Sequence, residues 1–160
     1  MVKITIICVG KIKEKYLKDA VNEYSKRLSA FCRLEIKEVA DEKTKENLSA
    51  AEENIIKKRE GEKIISLIKD RQYVITLEIE GRMLDSPELS KRIDSLLSGG
   101  NSDICFVIGG SLGLSDEIKE RADLHLSFSK LTFPHQLMRV ILLEQIYRSF
   151  KIMSGEPYHK

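Results

Sequence analysis

Apolar positions along this chain switch repeatedly between a strand period and a helix period. Val2 to Val9 (VKITIICV) is β-branched and apolar, which predicts a buried strand closed by Gly10. Tyr16, Leu17, Ala20, Val21, Tyr24 and Leu28 then recur at three- and four-residue steps, the stripe of an amphipathic helix. Leu34, Ile36 and Val39 suit a second strand, and Asp41 to Asn47 (DEKTKEN) a charged, solvated loop. Ile55, Ile56, Ile64, Ile65 and Ile68 mark a second helix with Gly61 as its weak point. Tyr73 to Ile79 predicts a third strand, stopped at Gly81.

Ser86 followed by Pro87 reads as a capping hydroxyl and a proline at the first helical position. That helix carries Leu89, Ile93, Leu96 and Leu97 and ends at Gly99-Gly100. Ile104 to Ile108 is the fourth strand, followed by a turn over Gly109 to Gly113. Ser115 caps a short helix with Asp116 and Glu117 in its first turn, where the helix dipole favours them. Leu124 to Phe128 is the fifth strand, and Thr132-Phe133-Pro134 opens a last helix reaching about Met153. Ser154-Gly155 breaks it, leaving a tail, EPYHK. Alternating strands and helices imply an α/β fold, an open and mostly parallel sheet with helices on both faces. The last helix is apolar around more than one stripe, through Leu137, Val140, Ile141, Leu142, Leu143 and Ile146. The surplus predicts a second buried face, most simply a homodimer interface.

Composition keeps this reading within one globular domain over residues 1–160, with 42% hydrophobic and 32% charged residues. No apolar run has the length of a membrane span, and the start of the chain reads as a strand and not as a signal peptide. Cys8, Cys32 and Cys105 are odd in number and widely spaced, which points to core thiols in a reducing cytoplasm. Net charge is only +2, yet from Leu124 onward Lys130, Arg139, Arg148, Lys151 and Lys160 face only Glu144 and Glu156. A basic C-terminal third is a mild pointer to an anionic partner.

Ligands of open α/β sheets sit beyond the carboxyl ends of the strands. Three such ends stand out: Leu77 to Gly81, Gly109 to Gly113, and Phe128 to Phe133. Gly109 and Gly110 leave the backbone unobstructed for a flat or charged ligand, although a tight turn alone also explains them. The dinucleotide fingerprint belongs after a first strand and is absent there. His125, His135 and His159 have no metal-ligand spacing, so no metal is expected. His125 reads as structural; His135 either caps its helix, orients a loop or touches substrate. Tyr158, His159 and Lys160 combine rings with cations that suit a base and its phosphate, or form a disordered end. Glu78 and Glu80 share a strand face without forming an obvious acid–base pair. No nucleophile–base–acid set is present, and methyl transfer from a sulfonium donor needs positioning more than acid–base machinery.

The stretch from Phe128 to Arg148, FSKLTFPHQLMRVILLEQIYR, resembles the C-terminal signature of the SPOUT methyltransferases. With P-Y-H-K at the end, V-K-I-T-I-I-C-V-G-K at the start, and the segments V-I-T-L-E-I-E-G and F-V-I-G-G-S-L-G-L-S, it is similar to the 23S rRNA pseudouridine N3-methyltransferases of that superfamily. The resemblance covers essentially the whole chain. It implies a minimal SPOUT domain with a deep C-terminal trefoil knot, and a homodimer packed through the knot. It implies transfer of a methyl group from S-adenosylmethionine to N3 of pseudouridine 1915, in helix 69 of 23S rRNA on the assembled 70S ribosome. The cofactor positions it implies are Leu77, Gly109, Phe128, Ser129, Lys130, Leu131, Thr132 and Phe133. Arg148, Tyr158 and His159 become candidates for catalysis, through substrate positioning and charge stabilisation. His135, Arg139 and Lys160 become candidates for substrate binding, with the tail expected to reach the partner subunit's cofactor site. Two other readings stand beside this one: a nucleotide-cofactor oxidoreductase of flavodoxin or Rossmann type, and a ribosome-associated factor that binds without turnover.

Overall fold

The structure is a computed structural model and describes residues 1–43 and 45–160. In chain order it holds β1 (Lys3–Val9), α1 (Lys15–Leu28), β2 (Arg33–Val39), α2 (Ala50–Leu67), β3 (Tyr73–Met83), α3 (Ser86–Ser98), β4 (Asp103–Ile108), α4 (Asp116–Arg121), β5 (Leu124–Ser127) and α5 (His135–Met153). The five strands form one sheet in the order β2-β1-β4-β3-β5. Every pairing is parallel, where the sequence led us to expect a mostly parallel sheet.

Both faces of the sheet are covered, which is why its inner strands read as near-continuous apolar runs. Along β1 the side chains alternate between two cores with the two-residue period of a strand. Ile4, Ile6 and Cys8 join Phe106, Ile75 and the helices α1, α3 and α5 on one side. Ile7 and Val9 join Val74, Cys105, Val107 and the helices α2 and α4 on the other. Burying each such side chain is worth about 1.5–3 kcal/mol, and this anchors the carboxyl ends of β1, β3 and β4 along one edge.

Local chemistry departs from the sequence reading at several points. Asp85, not Ser86, caps α3: its carboxylate accepts from Glu88 N–H at 2.8 Å, and the Glu88 side chain reaches back to Asp85 N–H at 3.2 Å. This reciprocal pair satisfies two otherwise unpaired donors. It frees the Ser86 hydroxyl to donate to Gln145 of α5 at 2.7 Å. The third strand does not stop at Gly81. It shifts register between Leu77 and Arg82 and continues to Met83, because Arg82 and Met83 pair with Leu126 and Ser127. Phe128 lies outside β5. Helix α2 runs unbroken through Gly61, where a side chain would collide with Ser115 at the start of α4. Tyr16 and Ile55 are exposed and stand outside the buried stripes assigned to them. The charged loop carries no helix or strand at 41–43 and 45–47; Thr44 lies outside the described residues.

Helix α5 buries Leu142, Leu143, Ile146, Tyr147 and Phe150 against the sheet and its neighbours. Val140 and Ile141 are only partly covered, and Leu137 is exposed. The chain by itself therefore leaves part of this helix's apolar surface open.

Candidate functional site

The carboxyl ends of β3, β4 and β5 open into one cleft of about 890 Å³, within the size range of small-molecule sites. Residues 77–80 form one wall, residues 108–114 a second, and residues 128–129 and 131–135, Met138 and Lys119 the rest. Each wall has a local cause. The Gly109–Gly113 turn is closed by Gly113 N–H donating to the Gly110 carbonyl at 3.1 Å. A side chain at Gly109 would meet Leu114 Cδ2 at 2.9 Å and the Gly113 backbone at 3.1 Å. That position must stay bare for the turn to fold so tightly. The Phe128–Phe133 loop is held by Ser127, whose hydroxyl sits 2.8 Å from the Ile79 carbonyl and 3.2 Å from the Ser129 carbonyl. Leu131 N–H in turn donates to Ser129 Oγ at 2.9 Å. The ends of the neighbouring third and fifth strands are thereby tied to each other at the cleft.

The structure brings together Leu77, Gly109, Phe128, Ser129, Leu131, Thr132 and Phe133 around this cleft. Lys130 does not join them; it points to solvent at the tip of the same loop. His135 lines the cleft and does not cap α5, which begins after Pro134 without a side-chain cap. Glu78 also lines it, with its carboxylate engaged by Thr76 Oγ1 at 2.6 Å and by His125 Nδ1. His125 is thus held by a carboxylate, in keeping with a structural role. Among the described residues no group of His, Cys, Asp or Glu is arranged to hold a metal ion.

Arg139, expected as a substrate contact, is not presented to any surface of this chain. It is 2% exposed and spends its guanidinium on Glu38 at 2.6 Å and on the Gly10 carbonyl at 3.2 Å. Its place at the fifth residue of α5, facing the ends of β1 and β2, turns it inward.

Arg148, Tyr158 and His159 do gather, but away from the cleft. Arg148 pairs with Glu144 at 2.7 Å, lies 4.7 Å from the Tyr158 ring centroid and stands 3.1 Å from His159 Nδ1. The Tyr158 hydroxyl donates to Glu144 at 2.8 Å. Desolvation, aided by that bond to a carboxylate, pushes the Tyr158 phenol above its ordinary pKa and keeps it neutral. Lys160 is exposed at the end of this tail. From His135 to Arg148 is about 20 Å along a helix axis, so one chain holds its cleft and its tail cluster at opposite ends of α5.

One buried group at the cleft escaped the sequence reading. Glu60 of α2 is 5% exposed and lies under the Gly110 turn. The helical pattern marked its isoleucines, and nothing local signals that this glutamate faces inward.

A family model described as "Predicted SPOUT methyltransferase" matches residues 2–159. A protein of Clostridium botulinum (strain Alaska E43 / Type E3) is 61% identical over 157 residues, covering 98% of this chain and 99% of its own length. Relatives from Clostridium acetobutylicum and Clostridioides difficile are 62% and 60% identical over the same lengths. All three carry the name ribosomal RNA large subunit methyltransferase H.

Proposed function

Because this chain belongs to the SPOUT methyltransferase family, we propose that it methylates large-subunit ribosomal RNA with S-adenosylmethionine as donor. The specific reaction is methylation of N3 of pseudouridine 1915 in helix 69 of 23S rRNA, on the assembled 70S ribosome. The observation that supports it most is the convergence of the three strand ends on one cleft lined by Leu77, Gly109 and the Phe128–Phe133 loop. The cleft fits the donor's chemistry: apolar walls from Leu77, Leu114 and Phe133 for its ring, with Glu78, Glu80 and Lys119 as the charged part of the lining.

When bound, S-adenosylmethionine supplies a methyl carbon made electrophilic by its sulfonium sulfur. The residues of this chain that would hold and orient it are the 109–113 turn, the 128–133 loop and Leu77. Rate enhancement then comes from placing an acceptor nitrogen in line with the methyl carbon. N3 must lose its proton before or during attack, and a cationic environment favours the resulting anion. Arg148, His159 and Lys160 supply that environment, with Tyr158 shaping the nucleotide's seat; His159 accepts a proton only in its neutral form.

Since the tail cluster stands at the far end of α5 from its own cleft, we assign it to the cleft of a partner subunit. The open apolar surface of Leu137, Val140 and Ile141 supports a homodimer that would achieve this. The family reading also carries the C-terminal trefoil knot and a cytoplasmic enzyme.

The test is label transfer from tritiated-methyl S-adenosylmethionine to ribosomes lacking the modification. Assembled 70S particles, free subunits, and particles with uridine replacing the target pseudouridine are compared. Label in helix 69 of 70S particles, reduced by the uridine replacement, is the expected result. Folded protein that binds the donor and labels no particle would overturn the assigned substrate.

A further inference from the structure

The segment joining β1 to α1 reads Lys11-Ile12-Lys13-Glu14-Lys15-Tyr16-Leu17-Lys18. Ile12 and Leu17 are buried and anchor it, while the four lysines, Glu14 and Tyr16 are exposed. Four lysines against one glutamate within eight residues is a dense positive patch in a chain whose net charge is +2. Lys15 is paired with Asp19 at 3.1 Å. Lys11, Lys13 and Lys18 have no carboxylate within ion-pair distance among the described residues.

Tyr16 stands among these cations 69% exposed, the only exposed Phe or Tyr ring among the described residues. A ring placed in water without a partner forgoes the area it would bury in a core. A ring amid unpaired lysines has the composition that single-stranded nucleic acid requires: a platform for a base and charges for its phosphates.

The segment also begins beside the cleft. Lys13 N–H donates to the Gln136 side chain at 3.3 Å, and Gln136 follows His135 of the cleft wall. Gly10, the residue before Lys11, lies so close that a side chain there would stand 3.6 Å from His135 Nε2. The patch therefore starts at the cleft and runs outward along the first turn of α1.

We propose that Lys11, Lys13, Tyr16 and Lys18 form an RNA-contact tract, in which Tyr16 stacks on an unpaired base and the lysines hold neighbouring phosphates. This rests on the reading of the cleft as the site of RNA methylation, and adds to it a place where the strand flanking the target nucleotide is gripped. The contacts are to backbone and ring faces, so the tract contributes affinity and little sequence choice.

Four variants test it: Lys11→Gln with Lys13→Gln, Tyr16→Leu, Tyr16→Phe, and a control losing the same charge elsewhere, Lys58→Gln with Lys91→Gln. The readouts are the KM for 70S ribosomes as a function of salt, donor affinity by calorimetry, and mass by sedimentation. The Lys11/Lys13 pair is expected to raise KM roughly ten-fold and to flatten the logarithmic salt dependence by about one per lost phosphate contact. Tyr16→Leu is expected to raise KM roughly ten-fold, with Tyr16→Phe near wild type because the ring face is kept. Donor affinity stays at the wild-type value in all four. A Lys11/Lys13 pair whose KM and salt slope match the control overturns the proposal. So does a changed mass for Tyr16→Leu, which would place the ring between subunits. If the wild-type protein labels no ribosomes, the methylation reading itself fails. Pelleting of the same variants with ribosomes then decides the tract: equal retention of tract and control variants overturns it.

Discussion

Glu60 lies directly beneath Gly110: one carboxylate oxygen is 3.3 Å from where a side chain on Gly110 would start, and the other accepts Glu42 N–H at 3.0 Å. A single buried group thus joins α2, the loop after β2 and the turn after β4. Its desolvation raises the carboxyl pKa above the ordinary range, opposed by the hydrogen bond from Glu42 and by Lys63.

Two consequences can be measured for Glu60. Glu60→Gln keeps an acceptor for Glu42 N–H, whereas Glu60→Leu leaves that donor without a partner and costs about 1–3 kcal/mol. Urea denaturation should show this loss, and calorimetry should show weaker donor binding in Glu60→Leu alone. The raised pKa also sets a sign. The folded state holds its proton to higher pH than the unfolded chain, so stability is fully present below the ordinary carboxylate pKa and is lost as pH rises through the folded value. Relative to Glu60→Gln, the wild-type protein should therefore gain stability as pH falls from neutral toward the ordinary carboxylate range.

The pairing of buried Arg139 with solvent-exposed Glu38 gives a second prediction. Arg139→Ala empties a buried site and leaves the Gly10 carbonyl without its donor, for a loss of about 2–5 kcal/mol. Glu38→Gln retains a neutral acceptor and should cost only about 1–2 kcal/mol. Thermal denaturation of the two variants, compared at one pH, checks the order. Equal losses would show that the charge on Glu38, and not its acceptor oxygen alone, is what Arg139 requires.

The cysteines predict a pH limit to stability. Burial pushes the Cys8 and Cys105 thiols up to about 12 and Cys32 up to about 11. In the unfolded chain these thiols ionise near the ordinary value of about 8.5. The folded state then binds more protons than the unfolded one above that pH, so stability should fall as pH rises from about 9 toward 11. At pH 8 all three thiols should resist a thiol reagent in the native protein and react at once in denaturant.

Deleting Pro157 to Lys160 removes Tyr158 from Glu144 and His159 from Arg148 without touching the cleft. Donor binding by calorimetry should be unchanged, and methyl transfer to ribosomes should be abolished. Full activity of the truncated protein would end the assignment of the tail to catalysis.

Where strands and helices run was legible because β1 and β4 are near-continuous apolar runs and α1 and α3 carry apolar stripes at helical spacing. Errors fell where a long-range contact overrode a local signal. Gly81 looked like a stop, yet β5 pairs beyond it; Ser86 looked like a cap, yet Asp85 made the better pair with Glu88. The resemblance of the last third pointed to the cleft's loops, and strand-end reasoning marked the same three places. Lys130, carried over with its whole loop, is exposed and does not line the cleft, a placement set by the loop's path and not by its letter.

By itself the sequence determined the parallel α/β plan, the family, and the three loops that meet at the cleft, because periodicity and local motifs are written in neighbouring residues. Only the tertiary structure decided that Arg139 is an internal tie to Glu38, that Glu60 is buried beneath Gly110, and that Tyr16 is left in water beside lysines with no ion pair among the described residues. These are contacts between segments distant in the chain, set by which face of each helix meets the sheet. A charged residue's role follows from the side it faces, and its letter does not carry that.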